Sequence, residues 1–309
     1  MVRGNSPRPV QEDVMVRWTA LALAATMAFF GLVACGDDDT APATATPAAT
    51  ATATGGPAET PAIQPTPTPQ QGVMVAVAVF FARDEHIATG GRLVEGPAVA
   101  RGAMEALLAG PSALERDLGM SSEVPAGSRL LDIDIANGLA TVDLSREFES
   151  GGGSLSMTTR VAQVVYTLTQ YDTVDRVTIR LDGKEVDAIG GEGVPAKNLT
   201  RDDFRDNTPL ILVESPAPGA EVRSPLRVSG TSNTFEATIE WLVTDWDGRI
   251  VKEGFTTATA GTGTWGTFAF EVDLAGLAPG RITLVVFESS PKDGSQTNVY
   301  EVPLTLIGP

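Results

Sequence analysis

Leu131-Asp-Ile-Asp-Ile-Ala-Asn-Gly-Leu-Ala-Thr-Val-Asp-Leu144 decides the fold of the chain's first half. Leu131, Ile133 and Ile135 alternate with Asp132 and Asp134, and beyond Asn137-Gly138 the residues Ala140, Val142 and Leu144 alternate in their turn. Period two on both sides of an Asn-Gly pair predicts a β-hairpin with a type I′ turn, because both turn positions require positive φ.

Upstream, Val73-Met-Val-Ala-Val-Ala-Val-Phe-Phe81 is apolar at every position and predicts a strand buried on both faces, central in its sheet. A loop containing Arg92 follows. Pro97 then suits a first helical turn, Val99, Ala103, Ala106 and Leu107 form a 3.6-residue stripe, and Gly110-Pro111 ends it. Downstream, Gly151 to Gly153 break the pattern. Ser154 or Ser156 caps a helix running to about Gln170, with Met157, Val161, Val164 and Leu168 inward. Val177, Ile179 and Leu181 alternate before an Asp182-Gly183 turn. The order is βαββαβ, a small sheet covered by two helices over residues 73–206.

From Leu210 helix signals vanish, and short alternating strands recur every eight to twelve residues, the pattern of a β-sandwich over residues 207–309. The strands are Leu210 to Val213, Leu226 to Ser229, the third carrying Ile239, Trp241 and Val243, Ile250 to Phe255, and three more carrying Phe268 to Leu274, Ile282 to Val286 and Val302 to Leu306. Trp241 is the expected central aromatic. Pro303, lacking a donor, suggests an edge position. The fold class is therefore α+β: an α/β unit followed by an all-β sandwich.

Ahead of both lies an apolar run from Trp18, preceded by Arg17 and ending in Leu32-Val33-Ala34-Cys35. A charged start, an apolar core and small residues before a cysteine form a secretory signal cut just before that cysteine. Residues 1–34 are then a signal peptide, with translation starting at Met1 or Met15. The alternative is an uncleaved membrane helix, but residues 18–34 sit at the lower limit for spanning ~30 Å of hydrocarbon. Residues 35–72 read as a disordered tether, since from Thr40 to Gly72 the sequence is dominated by Ala, Thr, Pro, Gly and Gln and cannot build a core. Its flexible span is roughly 30 Å, and on the order of 100 Å when fully extended. Asp37 to Asp39 read as a solvated spacer.

A chain of 309 residues leaves room for two domains of about 100 to 130 residues. Its formal charge is -17, with 22 basic against 39 acidic residues. Such a surface repels nucleic acid, which requires clustered basic side chains. Cys35 is the only cysteine, so the chain forms no internal disulfide and no thiolate metal cluster.

No residue set spells out a reaction. His86, between Glu85 and Ile87, is the only histidine, and a general base needs a nucleophile and an orienting group in reach. Gly261-Thr-Gly-Thr-Trp-Gly266 matches a dinucleotide fingerprint by letter, but a strand rather than a helix follows, so it reads as a hairpin connection. Asp202, Asp203, Asp245 and Asp247 lack calcium-loop spacing and read as polar turns. Asn198-Leu-Thr200 matches a glycosylation acceptor by letter only. Trp246 and Trp265 either face solvent as an interaction surface or pack against a sandwich end. No catalytic residue, cofactor or metal is expected.

Several blocks resemble known families. Leu32 to Cys35 resembles the lipobox of bacterial lipoproteins, which implies a diacylglycerol and palmitate-type acyl chains on Cys35. The strand Val75 to Phe81, Arg92, Ala106-Leu-Leu-Ala-Gly-Pro111, Val124-Pro125, Gly138-Leu-Ala-Thr-Val-Asp-Leu-Ser145 with Phe148, and Val165-Tyr-Thr-Leu-Thr-Gln170 with Val177 and Asp182-Gly183 resemble the GerMN domain of sporulation and spore germination. That family implies a non-catalytic α/β domain similar to ring-building motifs. Pro216-Ala-Pro-Gly219, Ser224-Pro225, Val228-Ser-Gly230, Phe235-Glu236, Gly266-Thr-Phe-Ala-Phe270 and Asp293-Gly294 resemble the immunoglobulin-like domain of bacterial spore germination. Together these imply a lipoprotein on the outer face of the cytoplasmic membrane, held by lipid and presenting two modules to envelope proteins or peptidoglycan. The alternatives are a wall hydrolase using acids such as Asp84 or Glu85, which would need two carboxyls about 5 to 9.5 Å apart, and a ligand-binding lipoprotein with a deep pocket between domains.

Overall fold

Backbone amides on a buried strand must all find partners, and that requirement organises the first half of the protein. The computed structural model describes residues 72–191 and 193–308; the signal segment and nearly all of the tether lie outside the described residues. The first half contains β1 (Met74–Arg83), β2 (His86–Glu95), α1 (Val99–Ala109), α2 (Ala113–Asp117), β3 (Leu130–Ala136), β4 (Gly138–Leu144), α3 (Ser154–Leu168), β5 (Val174–Leu181), β6 (Lys184–Glu185), β7 (Ala188–Ile189) and β8 (Val194–Pro195). To the expected order this adds β2, α2 and the three short strands.

The Asn137-Gly138 hairpin forms as expected: both residues have positive φ, and Ala136 pairs with Leu139. β4 then pairs in parallel with β5 after the α3 crossover, giving the sheet order β3-β4-β5-β6. Ala140, Val142, Leu144, Val177, Ile179 and Leu181 are all buried beneath α3.

The first hairpin departs from expectation in two ways. Arg92 lies in a strand, not a loop, because Asp84-Glu85 forms a two-residue turn with positive φ at both positions and the chain doubles back at once. β1 is buried only from Val77 onward, with Val73 and Met74 exposed, and it is not central, since it pairs with β2 alone and takes no place in the four-stranded sheet. Its other edge bonds to side chains. Gln170 accepts from Ala78 N (2.8 Å) and donates to Ala78 O (2.7 Å). Thr167 Oγ1 accepts from Phe80 N, and Gln163 Nε2 donates to Phe80 O. Ser121 completes the edge through paired backbone bonds with Ala82, both 2.8 Å.

Gln163 and Thr167 reach one strand because positions i and i+4 share a helix face, and Gln170 joins them from the turn just past the helix end. α3 is buried around most of its circumference from Met157 to Leu168, which is how it keeps its β-branched residues despite their modest helix propensity. It ends at Leu168, and its N-cap is Gly153 rather than a serine. Ser156 Oγ is engaged by Glu123 Oε2 instead.

The second half is a sandwich of β9 (Ile211–Ser215), β10 (Glu221–Val222), β11 (Leu226–Ser232), β12 (Thr238–Asp245), β13 (Ile250–Thr257), β14 (Gly266–Val272), β15 (Gly280–Ser289) and β16 (Gln296–Leu306). One sheet is ordered β14-β11-β9 and the other β10-β16-β15-β12-β13. Pro303 sits one strand in from the edge. Its carbonyl accepts from Gly219 N, and β10 joins β16 only at Thr305 and Leu306, so no neighbouring strand requires its missing donor. Trp241 is half-buried rather than central and stacks on Phe270 at 5.3 Å. Gly254 opposite leaves room for the indole, where a Cβ would lie 2.5 Å from Cζ2. Tyr300 is the largest fully buried side chain of this half.

Tyr300 also joins the halves, which belong to one compact unit. Its hydroxyl accepts from Thr89 N on β2 (3.0 Å), while Thr89 Oγ1 donates to Val213 O on β9 (2.7 Å). Arg201 forks onto both oxygens of Glu214 at 2.8 Å, and its guanidinium lies 4.7 Å from the Tyr166 ring centre. One core cluster runs through both halves.

Two outcomes follow from these contacts. Gln170→Leu strands the Ala78 amide and carbonyl and should cost about 1–3 kcal/mol in urea unfolding. Among the described residues every tryptophan lies in the sandwich and α1 to α3 lie in the other half. Fluorescence and helical circular dichroism should therefore report coincident transitions, and Tyr300→Phe should lower both midpoints together.

Candidate interaction surface

Cys35 and the residues Leu32, Val33 and Ala34 lie outside the described residues, so the described surface begins at Gly72. Asp84, Glu85 and His86 occupy the β1–β2 turn. His86 Nδ1 donates to Asp84 O at 2.8 Å, which spends one ring nitrogen on holding the turn. Asp84 and Glu85 are neighbours on that turn and, with Glu123, line a depression of about 510 Å³, where Glu123 Oε2 accepts from Ser156 Oγ.

The most strongly organised charge is Glu115. It is 2 % exposed, yet ionised, because it accepts from Arg92 Nη1 (2.6 Å) and Nη2 (2.8 Å), from Gly91 N and from Ser112 N. Burial pushes its carboxyl upward, but the Arg92 hydrogen bond, the Ser112 amide and the Arg92 charge together hold it below its ordinary value. Gly90 makes the approach possible, since a Cβ there would stand 2.2 Å from Glu115 Oε1. This is a structural lock between β2 and α2. The Ser112-Ala-Leu-Glu115 spacing of a capping box announces it in the sequence, and the box forms.

A trough of about 1030 Å³ lies between the two halves, walled by Ala76, Ala78, Gly91, Pro216 and Pro225 among others. Its charged groups are largely committed: Arg92 to Glu115, Glu214 to Arg201, and Arg227 to Glu271. It therefore offers few polar groups that converge on a small ligand.

The other sequence candidates separate spatially. Gly261 to Gly266 leads into β14, whose first residue is Gly266, and joins strands of different sheets, so it is not the hairpin connection expected; Thr259 N is bonded to Thr267 O. Asp203 closes a capping box with Thr200, Asp202 pairs with Arg205, and Asp245 caps the β12–β13 turn. Among the described residues no three acids, histidines or cysteines converge as metal ligands would. Asn198 is exposed in a turn with positive φ. Trp265 is half-buried, with the Arg205 guanidinium 4.8 Å from its ring centre, so its face packs within the molecule.

Trp246 is 79 % exposed. Its turn is rigid, because Asp245 Oδ1 accepts from both Asp247 N and Arg249 N at 3.0 Å. Ile250 and Phe255, on the strand leaving that turn, are also exposed. The β12–β13 hairpin thus concentrates solvent-facing apolar side chains, the arrangement expected of a contact surface.

Two family models match the chain. Residues 67–187 match the family described as sporulation and spore germination, and residues 210–295 match the immunoglobulin-like domain of bacterial spore germination. Among solved structures, the first GerMN domain of the sporulation protein GerM from Bacillus subtilis is 24% identical, with a TM-score of 0.36 over 41% of this chain and 98% of that one. The tandem GerMN domains of the same protein are 20% identical, with a TM-score of 0.38 over 65% of this chain and 62% of theirs. No curated protein matches the chain. No helix among the described residues is long and apolar enough to cross a membrane.

The Glu115 lock sets a pH dependence. A carboxyl held below its ordinary value of 4.5 stabilises the fold fully above that value and loses its contribution as pH falls through the lower folded value. Glu115→Gln should cost about 2 kcal/mol at neutral pH, less than a fully enclosed pair because Arg92 keeps solvent contact. Urea titrations across the acid range should show a shallower loss of stability in this variant than in the parent.

Proposed function

We propose that this chain, which carries a sporulation and spore germination domain followed by the immunoglobulin-like domain of bacterial spore germination, is a lipid-anchored, non-catalytic envelope protein on the outer face of the cytoplasmic membrane. Its role in this reading is to present two interaction modules in fixed relation to each other. The observation that carries the reading is the seam: Thr89 bonded to Tyr300 and Val213, and Arg201 forked onto Glu214, make the two domains one body. A binding platform gains from that rigidity, because partners meet a preorganised surface and less ordering entropy opposes association.

The chemistry of the described residues supports the same reading. The only histidine is spent on its turn, the buried carboxylate is locked to an arginine, and the acids of the β1–β2 turn stand side by side. The anchor would be Cys35, with Leu32, Val33 and Ala34 read by the processing machinery and residues 35–72 serving as the tether. Two or more acyl chains there would hold the protein stably, where one would not.

Growth with labelled palmitate followed by mass spectrometry of the N-terminal peptide should show a diacylated thioether at Cys35. Cys35→Ala should remove the label and release the protein from washed membranes, with the Thr89–Tyr300 seam and the unfolding midpoint unchanged. Retention of label by the Ala variant would refute the anchor, and wall-polymer turnover lost on Glu85→Gln would refute the absence of catalysis.

A further inference from the structure

The outer face of the five-stranded sheet breaks the rule for a sandwich. One face of each strand should pack inward and the other should be polar. Ile282-Thr-Leu-Val-Val-Phe287 in β15 is instead apolar on both faces over its last four residues. Leu284 and Val286 enter the core, whereas Val285 and Phe287 turn outward and join Leu242 in an apolar cluster separate from that core. Register places Glu240 between Phe255 and Phe287, Leu242 between Glu253 and Val285, and Glu301 beyond Val285. Phe255 is 75 % exposed beside Phe287 at 6 %, and Ile250 and Val299 extend the same face. A groove of about 330 Å³ opens there, lined by Phe255, Phe287, Leu242, Glu240, Glu253 and Trp241. The indole N–H of Trp241 has no acceptor among the described residues.

Charge selects the occupant. Glu240, Glu253 and Glu301 form no ion pair or hydrogen bond through their carboxylates among the described residues, and Arg281 lies only at the far end of the face. Three carboxylates interleaved with apolar groups repel one another and are complementary to a partner bearing cations between its own apolar side chains. A second copy, with a formal charge of -17, brings the wrong sign, and an anionic membrane does likewise.

We propose that this face, around Phe255 and the Leu242–Val285–Phe287 floor, docks a basic amphipathic segment of another polypeptide. The proposal rests on the platform reading above and specifies its partner's chemistry. Phe255 is the anchor that fills the partner's apolar stripe, and the glutamates set register and salt dependence.

The test places a photoreactive benzoylphenylalanine at position 255 of the full chain in its own cells, with a second probe at exposed Leu155 on the other domain as control. The crosslinked peptide is sequenced by mass spectrometry. The expected result is one polypeptide captured from position 255 through a segment of net positive charge. Glu240→Lys with Glu253→Lys should lower the yield at least tenfold, and the milder Glu240→Gln with Glu253→Gln should lower it severalfold. Both variants are first checked for the parental unfolding transition. Capture of a second copy, of wall glycan or lipid, or of a neutral or acidic segment would overturn the proposal, as would a yield insensitive to both charge variants. Crosslinks from 155 with none from 255 would sink this surface while leaving the platform reading intact.

Discussion

A buried strand edge with no neighbouring strand is the constraint on which the first domain depends. From Val77 to Ala82 β1 is apolar on both faces and largely covered on both, so its outward amides there cannot turn to water. Leaving a buried amide or carbonyl unpaired costs roughly 1–3 kcal/mol, and Ala78, Phe80 and Ala82 each present both groups. Gln163, Thr167 and Gln170 supply the partners a second strand would have given, with Ser121 finishing the row. This ties α3 to β1 by directional bonds as well as by apolar burial, and so fixes the helix in rotation and height. Once α3 is placed, its other side receives the four-stranded sheet, and Arg160 draws in the carbonyls of Glu123, Phe148 and Ser150.

The same logic governs the opposite edge of the hairpin. β2 bonds to β1 along one side, and its free side is closed by Glu115 at Gly91 and by the Tyr300 hydroxyl at Thr89. The sandwich therefore completes the backbone bonding of the first domain as well as lying beside it. Gly91 permits the approach, since a Cβ there would stand 2.7 Å from that of Ala217. Moving the domains apart would strand a buried amide and unpair Arg201 from Glu214, which is why the pair behaves as one body.

These connections explain what the sequence does and does not disclose. Alternation and turn chemistry are local, so the Asn137-Gly138 hairpin, the Asp182-Gly183 turn and the seven long sandwich strands can all be read directly. β2 cannot. Its turn uses Asp84-Glu85 in a conformation that costs non-glycine residues about 1–2 kcal/mol, and Gly90-Gly91 reads as a break although both glycines exist to admit neighbours distant in sequence. Gln163 and Thr167 look like the solvent side of an amphipathic helix until β1 is laid across them. Trp241 looks like a core residue because size alone says so, but the position nearest the seam goes to Tyr300, whose hydroxyl has a bond to make. Of the two candidate tryptophans, Trp265 meets Arg205 across a gap that sequence spacing does not encode.

Electrostatics and apolar burial then act at different ranges on the same molecule. A surplus of acids spread over the surface sets a field that decays within about 8 Å at physiological salt, so it discourages anionic neighbours broadly without choosing a partner. Selection needs contact. The β12–β13 hairpin and the outward side of β15 bring Phe255, Phe287 and Leu242 together with carboxylates that have no counter-charge among the described residues. An isolated apolar patch on an acidic protein is shielded from self-association by the charge around it, and an isolated acidic patch lacks the desolvated area that gives lifetime to a complex. Interleaving the two on one rigid sheet lets the field reject like-charged surfaces while the apolar floor holds a partner of opposite charge.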